Sequence, residues 1–300
     1  MKSLFETTLL HLKLDKKDVK FIGEGFGSLV LEDQYGIIIR VAKNLDTAKQ
    51  YVKEYNILPQ LQAKLFPINI PIPKWYHYDT EKVPYGIIAY EKLAGPTLIP
   101  KVISEENKKR IAKQLAAFIA LIHQTPTDHF KDYCPQEEND RNQLTNLREN
   151  TYDALSTNLL KKEMLMMNDW WEDMLQDQTF YSHKSVLCHG DLWYENILVN
   201  HQQTDITGII DFSEVKIGDP AIDLVPHHYI GEDFYSYVLN EYRTAFPNDP
   251  TIDERVKKHR CLRELNGLAY AIKHNVDVEI QDSIAKIRDV ILGTQKKEFK

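Results

Sequence analysis

The sequence predicts an α+β protein, with a small antiparallel-sheet lobe over residues 1–92 and a larger, mostly helical lobe over residues 93–300. Three observations predict it. Strand signals crowd the first ninety or so residues, Leu93-Ala94-Gly95-Pro96 interrupts them like a hinge, and apolar residues then recur at helical spacing.

In chain order, Phe21-Ile22 runs into the cluster Gly23-Glu24-Gly25-Phe26-Gly27. Leu29-Val30-Leu31 follows, and Gly36 to Val41 is a β-branched run behind a turn. Between Thr47 and Leu61 the residues Tyr51, Tyr55, Leu58 and Leu61 share one helical face. Pro67, Pro71 and Pro73 enforce extended chain before a strand-like stretch from Tyr85 to Tyr90. Past the hinge, Ser104 is a good N-cap, and Glu105 and Glu106 complement the helix dipole. Ile111, Leu115, Phe118, Ile119 and Ile122 form that helix's apolar stripe. Residues 141–178 read as further helix, with Trp170, Trp171, Met164, Met166 and Met167 as its core side. Short strands return at 185–188, 197–199 and 206–210, and the chain is helical again from about 233.

The 300 residues suit one large domain or two lobes, and 43% hydrophobic with 27% charged residues is ordinary globular composition. A net charge of −7 argues against nucleic-acid binding. It fits a cationic small substrate, and a need for solubility accounts for it equally well. Three cysteines without CxxC spacing argue against a disulfide framework or a zinc site, and Cys188 reads as a small buried hydrophobe. The N-terminus lacks a secretory signal and no window carries 18 uninterrupted apolar residues, so a cytoplasmic location without a membrane span is expected. No protein partner is evident.

The chemistry is carried by Val186 to Val199, containing His189-Gly190-Asp191-Leu192-Trp193-Tyr194-Glu195-Asn196, and by Gly208-Ile209-Ile210-Asp211-Phe212. Phosphoryl transfer needs a group that orients the attacking hydroxyl and accepts its proton, and hard oxygen ligands that hold magnesium against the phosphates. Asp191 supplies the first, while Asn196, five residues on, and Asp211, at the end of a nearby strand, supply the second. His189 reads as a packing and hydrogen-bonding residue of the loop.

These motifs resemble the aminoglycoside phosphotransferase family, in which HxDxxxxN and a downstream Asp replace the equivalent protein-kinase motifs. The run Gly218-Asp219-Pro220-Ala221-Ile222-Asp223-Leu224 matches the same family. The resemblance implies a two-lobed protein-kinase-like fold, Mg2+ as metal, and ATP or GTP as co-substrate. It makes Gly23 and Gly25 part of a phosphate-covering loop, although a plain hairpin turn reads the same way. Strand alternation puts Ile38 and Arg40 on one face, with Arg40 in the position of the kinase lysine and Lys43 on the opposite parity as a solvated charge. Glu54 would pair with Arg40, or be an exposed helix charge. Glu91 carbonyl and Leu93 N–H would take the nucleotide base, with Ile38 against the purine. Asp219 and Asp223 read as structural, Asp223 bracing the catalytic loop.

The acceptor is less legible. An amine-rich substrate needs carboxylates near the transfer site, and Glu214, Glu232 and Glu264 are the candidates, with Asp233, Glu137, Glu138 and Asp140 as further acidic positions. Few residues separate Asp211 from Asp223 and no protein-kinase substrate platform follows, which favours a small molecule. An aminoglycoside or related antibiotic is the expected acceptor. The alternatives are a macrolide, or choline, a sugar, a fructosamine or an amino alcohol in a metabolic kinase of the same fold.

Overall fold

A computed structural model describes residues 4–25, 27–79, 81, 83–137 and 139–293; Phe26 and Glu138 lie outside them. In chain order these residues form α1 (Leu4–Leu12), β1 (Val19–Glu24), β2 (Ser28–Asp33), β3 (Ile37–Ala42), α2 (Leu45–Leu65), β4 (Pro73–Asp79) and β5 (Val83–Glu91). Next come α3 (Glu105–His123), α4 (Arg141–Asn158), α5 (Lys161–Gln176), α6 (Gln178–Tyr181), β6 (Val186–Cys188), β7 (Ile197–Val199) and β8 (Ile206–Ile209). The chain closes with β9 (Lys216–Gly218), α7 (Glu232–Ala245), α8 (Ile252–His274) and α9 (Asp277–Val290). A small antiparallel sheet followed by mostly helical structure is the α+β class that the sequence predicts. Among the described residues, no helix is long and apolar enough to cross a membrane.

The chain divides into two compact units. The first comprises Met1–Gln136, Val186–Ile217 and Pro226–Phe246. Its sheet runs in the order β1-β2-β3-β5-β4, and every pairing is antiparallel. Alternation along β2 and β3 buries Leu29, Leu31, Ile39 and Val41 on one face, which leaves Ile38 and Arg40 together on the other. α2 starts where Asn44 accepts a hydrogen bond from Thr47 N–H at 2.9 Å. Ser104 caps α3 in the same way, accepting from Asn107 N–H, and the stripe from Ile111 to Ile122 is wholly buried.

The second unit comprises Glu137–Ser185, Gly218–Val225 and Pro247–Lys300. α4, α5, α8 and α9 supply its apolar core, with Trp171, Met167, Leu265 and Ile287 at the centre and Trp170, Met164 and Met166 packed against it. The predicted helix over 141–178 is broken at Leu159–Leu160, where Glu163 turns back to accept Leu160 N–H at 2.8 Å and restarts the chain as α5. Asp223 is fully buried in this unit.

Asp219 is the electrostatic centre of the second unit. Its buried carboxylate accepts from Arg255 Nε at 3.0 Å, His259 Nε2 at 2.9 Å and Asn139 Nδ2 at 3.1 Å. Burial alone would raise its pKa, but the hydrogen bond and charge of His259 and the charge of Arg255 outweigh it and hold the carboxyl well below the usual range. A depressed carboxylate adds stability above its unfolded pKa, roughly 3.9, and that stability drains away as pH falls toward the folded value. Asp219→Asn takes a charged acceptor away from Arg255 and His259, although Arg255 keeps its pair with Asp249 at 2.6 Å, and is expected to cost about 1–3 kcal/mol near pH 7. Urea unfolding at a series of pH values checks this: the gap to wild type should narrow below about pH 4, where the wild-type carboxylate begins to take up its proton.

Candidate active site

The loop between β6 and β7 carries Asp191 and Asn196. Gly190, its second residue, has φ of 84°, and an added Cβ would run into the Glu214 carbonyl, so this position admits only glycine. His189 is fully buried against Phe212, with ring centroids 4.6 Å apart. Its Nδ1 accepts Asp191 N–H at 3.3 Å and its Nε2 lies 3.2 Å from Ile210 O, a pattern that assigns the ring proton to Nε2. His189 therefore ties the loop to the end of β8. Asn196 spends its amide nitrogen on Asp191, donating to the backbone O at 2.8 Å and to Oδ2 at 3.2 Å. Its side-chain carbonyl oxygen is the atom it can offer to a cation.

Asp211 follows β8, which pairs with β7 in the register Ile197↔Ile209. It adopts φ 63° and ψ 71°, the left-handed region that aspartate tolerates better than most residues. Its Oδ1 is buried and receives no hydrogen bond. Arg40 Nη2 lies 3.6 Å from that oxygen.

Arg40 reaches this point from β3. Its Nη1 donates to Glu54 Oε1 at 3.2 Å and Oε2 at 3.3 Å, and its guanidinium lies over the Tyr51 ring, 5.2 Å from the centroid. Glu54, 0% exposed on α2, also accepts Tyr90 O–H at 2.5 Å. Burial opposes the charge on Arg40, but Glu54 and Asp211 outweigh it and hold the guanidinium above its usual range. Burial also pushes Glu54 up, with Arg40 and the Tyr90 hydroxyl opposing. Arg40→Met would leave that carboxylate in the interior without its cation, and is expected to destabilise the fold by about 3–5 kcal/mol, read as a lowered urea midpoint.

Arg40 and Asp211 share the wall of a cavity of about 890 Å3, which Gly25, Ile38, Tyr90 and Leu93 also line. That volume lies within the usual range for a small-molecule or cofactor site. Glu91 lines it too, and its side chain pairs with Lys74 Nζ at 2.5 Å. Gly23 sits in β1 opposite Val30 and does not line the cavity, whereas Gly27 does and passes so close to Thr47 Oγ1 that a Cβ would not fit. Lys43 is not simply solvated: its Nζ donates to Gly25 O at 2.8 Å and pairs with Glu24 Oε1 at 2.9 Å, clasping the glycine hairpin.

Of the acidic candidates for an acceptor site, Glu214 lines the same cavity as Arg40 and Asp211. Glu214 accepts Gln50 Nε2 at 2.8 Å, and Glu232, at the start of α7, lies 2.9 Å from His228 Nδ1. Asp233 pairs with Lys108 Nζ at 2.9 Å. Glu264 belongs to the second unit, buried on α8. Sequence reasoning missed Lys53, which is buried and donates to Ser213 O at 2.5 Å and Val215 O at 2.9 Å. Its position one residue before Glu54 is the sole trace it leaves in the sequence.

Comparison with known proteins places this geometry in context. The model of a family described as the phosphotransferase enzyme family matches residues 18–254. The uncharacterized protein YcbJ of Bacillus subtilis (strain 168) is 25% identical over 233 residues, covering 74% of this chain and 73% of its own. Among solved structures, the GDP and kanamycin complex of APH(2")-IIia superposes with a TM-score of 0.84 at 22% identity, covering 97% of this chain and 99% of its own. The apoenzyme of macrolide 2'-phosphotransferase MphH from Brachybacterium faecium gives a TM-score of 0.69 at 20% identity, with 93% and 97% covered. These structures share the fold of this chain.

Proposed function

The chain belongs to the phosphotransferase enzyme family, and from that membership we propose that it transfers the γ-phosphoryl group of ATP or GTP, with magnesium, to a hydroxyl of a small amine-bearing molecule. One observation carries the reading. Asp211 and Arg40, far apart in the sequence, meet at 3.6 Å on the wall of one cavity, with Glu54 holding Arg40 from behind.

The donor set fits magnesium. Asp211 Oδ1 is buried with no hydrogen bond, and Asn196 has only its carbonyl oxygen left to give, so both are hard oxygen donors. Asp211 and Asn196 would hold the metal, which would offset the negative charge that develops on the phosphoryl group in transfer. Arg40 grips phosphate oxygens through its guanidinium fork. Glu91 carbonyl and Leu93 N–H hold the base, Ile38 packs on its face, and Gly25 approaches the phosphates through its backbone. Asp191 aligns the acceptor hydroxyl and takes its proton as the new O–P bond forms and the bond from the γ-phosphorus to the bridging oxygen breaks, that oxygen leaving on the nucleoside diphosphate.

An aminoglycoside is the acceptor class we favour. The net charge of −7 suits a polycationic ligand, and a similar fold is known in complex with kanamycin. The likeness to a macrolide 2'-phosphotransferase keeps that class as the second reading. Nucleoside diphosphate release, measured with ATP and GTP in parallel, tests both against aminoglycosides, macrolides, choline and sugars. Release stimulated by an aminoglycoside is expected. Stimulation by choline or a sugar alone would move the protein to metabolism, and none with any acceptor would contradict the transfer reaction.

A further inference from the structure

We propose that Lys53 is a positioning residue for the metal site, holding the turn that presents Asp211 to the cation; the inference rests on the phosphotransferase reading above. Gln50, Lys53 and Glu54 stand three and four residues apart on α2, so they share one helical face. All three reach the same region. Gln50 Nε2 donates to Glu214 Oε1 at 2.8 Å, Lys53 Nζ donates to Ser213 O at 2.5 Å and Val215 O at 2.9 Å, and Glu54 binds Arg40. One helix face thereby holds the cation that grips phosphate and the segment that bears the metal carboxylate.

The turn needs such a hold. Asp211 sits in a left-handed conformation, which persists where the surroundings over-determine it. Phe212 beyond it is fully buried, and the Val215 amide closes back on Phe212 O at 3.3 Å. The two Lys53 hydrogen bonds fix one carbonyl inside that closure, Ser213 O, and one at its end, Val215 O. Among the described residues the hydrogen-bond partners of Lys53 are these two carbonyls, with no carboxylate in hydrogen-bond reach. Burial depresses its pKa, so the ammonium stands there at a desolvation cost that methionine, of similar shape, would not incur. A purely packing role would not need that charge.

The test is Mn2+ binding, followed by electron paramagnetic resonance, to the protein saturated with a non-hydrolysable nucleotide. Wild type is compared with Lys53→Met, Lys53→Gln and Lys53→Arg. Lys53→Met should weaken Mn2+ about tenfold, as expected from the 10–100-fold typical of outer-shell metal partners. Metal-free nucleotide affinity should stay within about twofold, because Lys53 does not line the cavity. Lys53→Arg should recover part of the loss and Lys53→Gln less. Mn2+ affinity within twofold of wild type in Lys53→Met, or in Lys53→Gln if the methionine variant does not fold, overturns the proposal. A wild-type protein that binds no Mn2+ with nucleotide removes the phosphotransferase reading itself.

Discussion

Asp191→Ala is expected to lower turnover by about three orders of magnitude while nucleotide affinity stays near wild type, within the range for losing a positioned general base. The loop geometry makes the variant informative. Asn196 is anchored mainly by Asp191 backbone O, at 2.8 Å, and that contact survives the substitution. His189 likewise holds the Asp191 N–H, which alanine keeps. Loop and Asn196 should therefore stay in place, and only the carboxylate that meets the acceptor hydroxyl is removed. Turnover with a stimulating acceptor, set beside calorimetric nucleotide binding, separates the two effects. Near-normal turnover would remove Asp191 as the base.

Asp211→Asn is expected to abolish magnesium-dependent transfer, with turnover falling by roughly a thousandfold, since the metal loses its charged ligand. Asparagine is the informative choice. It tolerates the left-handed backbone that Asp211 adopts, whereas alanine would add about 1–2 kcal/mol of backbone cost and blur the result. Glu54 still holds Arg40, so the nucleotide pocket keeps its main ion pair. A metal titration of turnover, with thermal melting to confirm the fold, reads the outcome. Unchanged magnesium dependence would count against Asp211 as a ligand.

The candidate site was legible where chemistry is written in local spacing. Asp191 and Asn196 sit five apart in one loop, and a two-residue strand period placed Ile38 beside Arg40 on the cavity face. Most element types followed from the same patterns, although α2 extends beyond its apolar stretch to Leu45–Leu65 because Asn44 caps it earlier. What stayed hidden depends on chain segments meeting across long separations. Lys53 looks like any helix lysine until the turn at residues 213–215 arrives with two carbonyls. Lys43 reads as solvated by strand parity, yet its long stem curls back to the Gly25 carbonyl. Tyr90 reads as a strand aromatic, and only the tertiary fold brings its hydroxyl to Glu54. The acceptor site is least legible because carboxylates carry no periodic signature; Glu214 proves to be engaged by Gln50, which the sequence does not announce.

The most direct test of the central claim follows a nucleotide radiolabelled in its γ-phosphate through one turnover with an acceptor that stimulates diphosphate release. Wild type should move the label straight onto the acceptor hydroxyl, with no label on the protein at any time, and Asp191→Ala should leave it on the nucleotide. Label trapped on the protein, or transfer by Asp191→Ala at the wild-type rate, would contradict a direct transfer governed by Asp191.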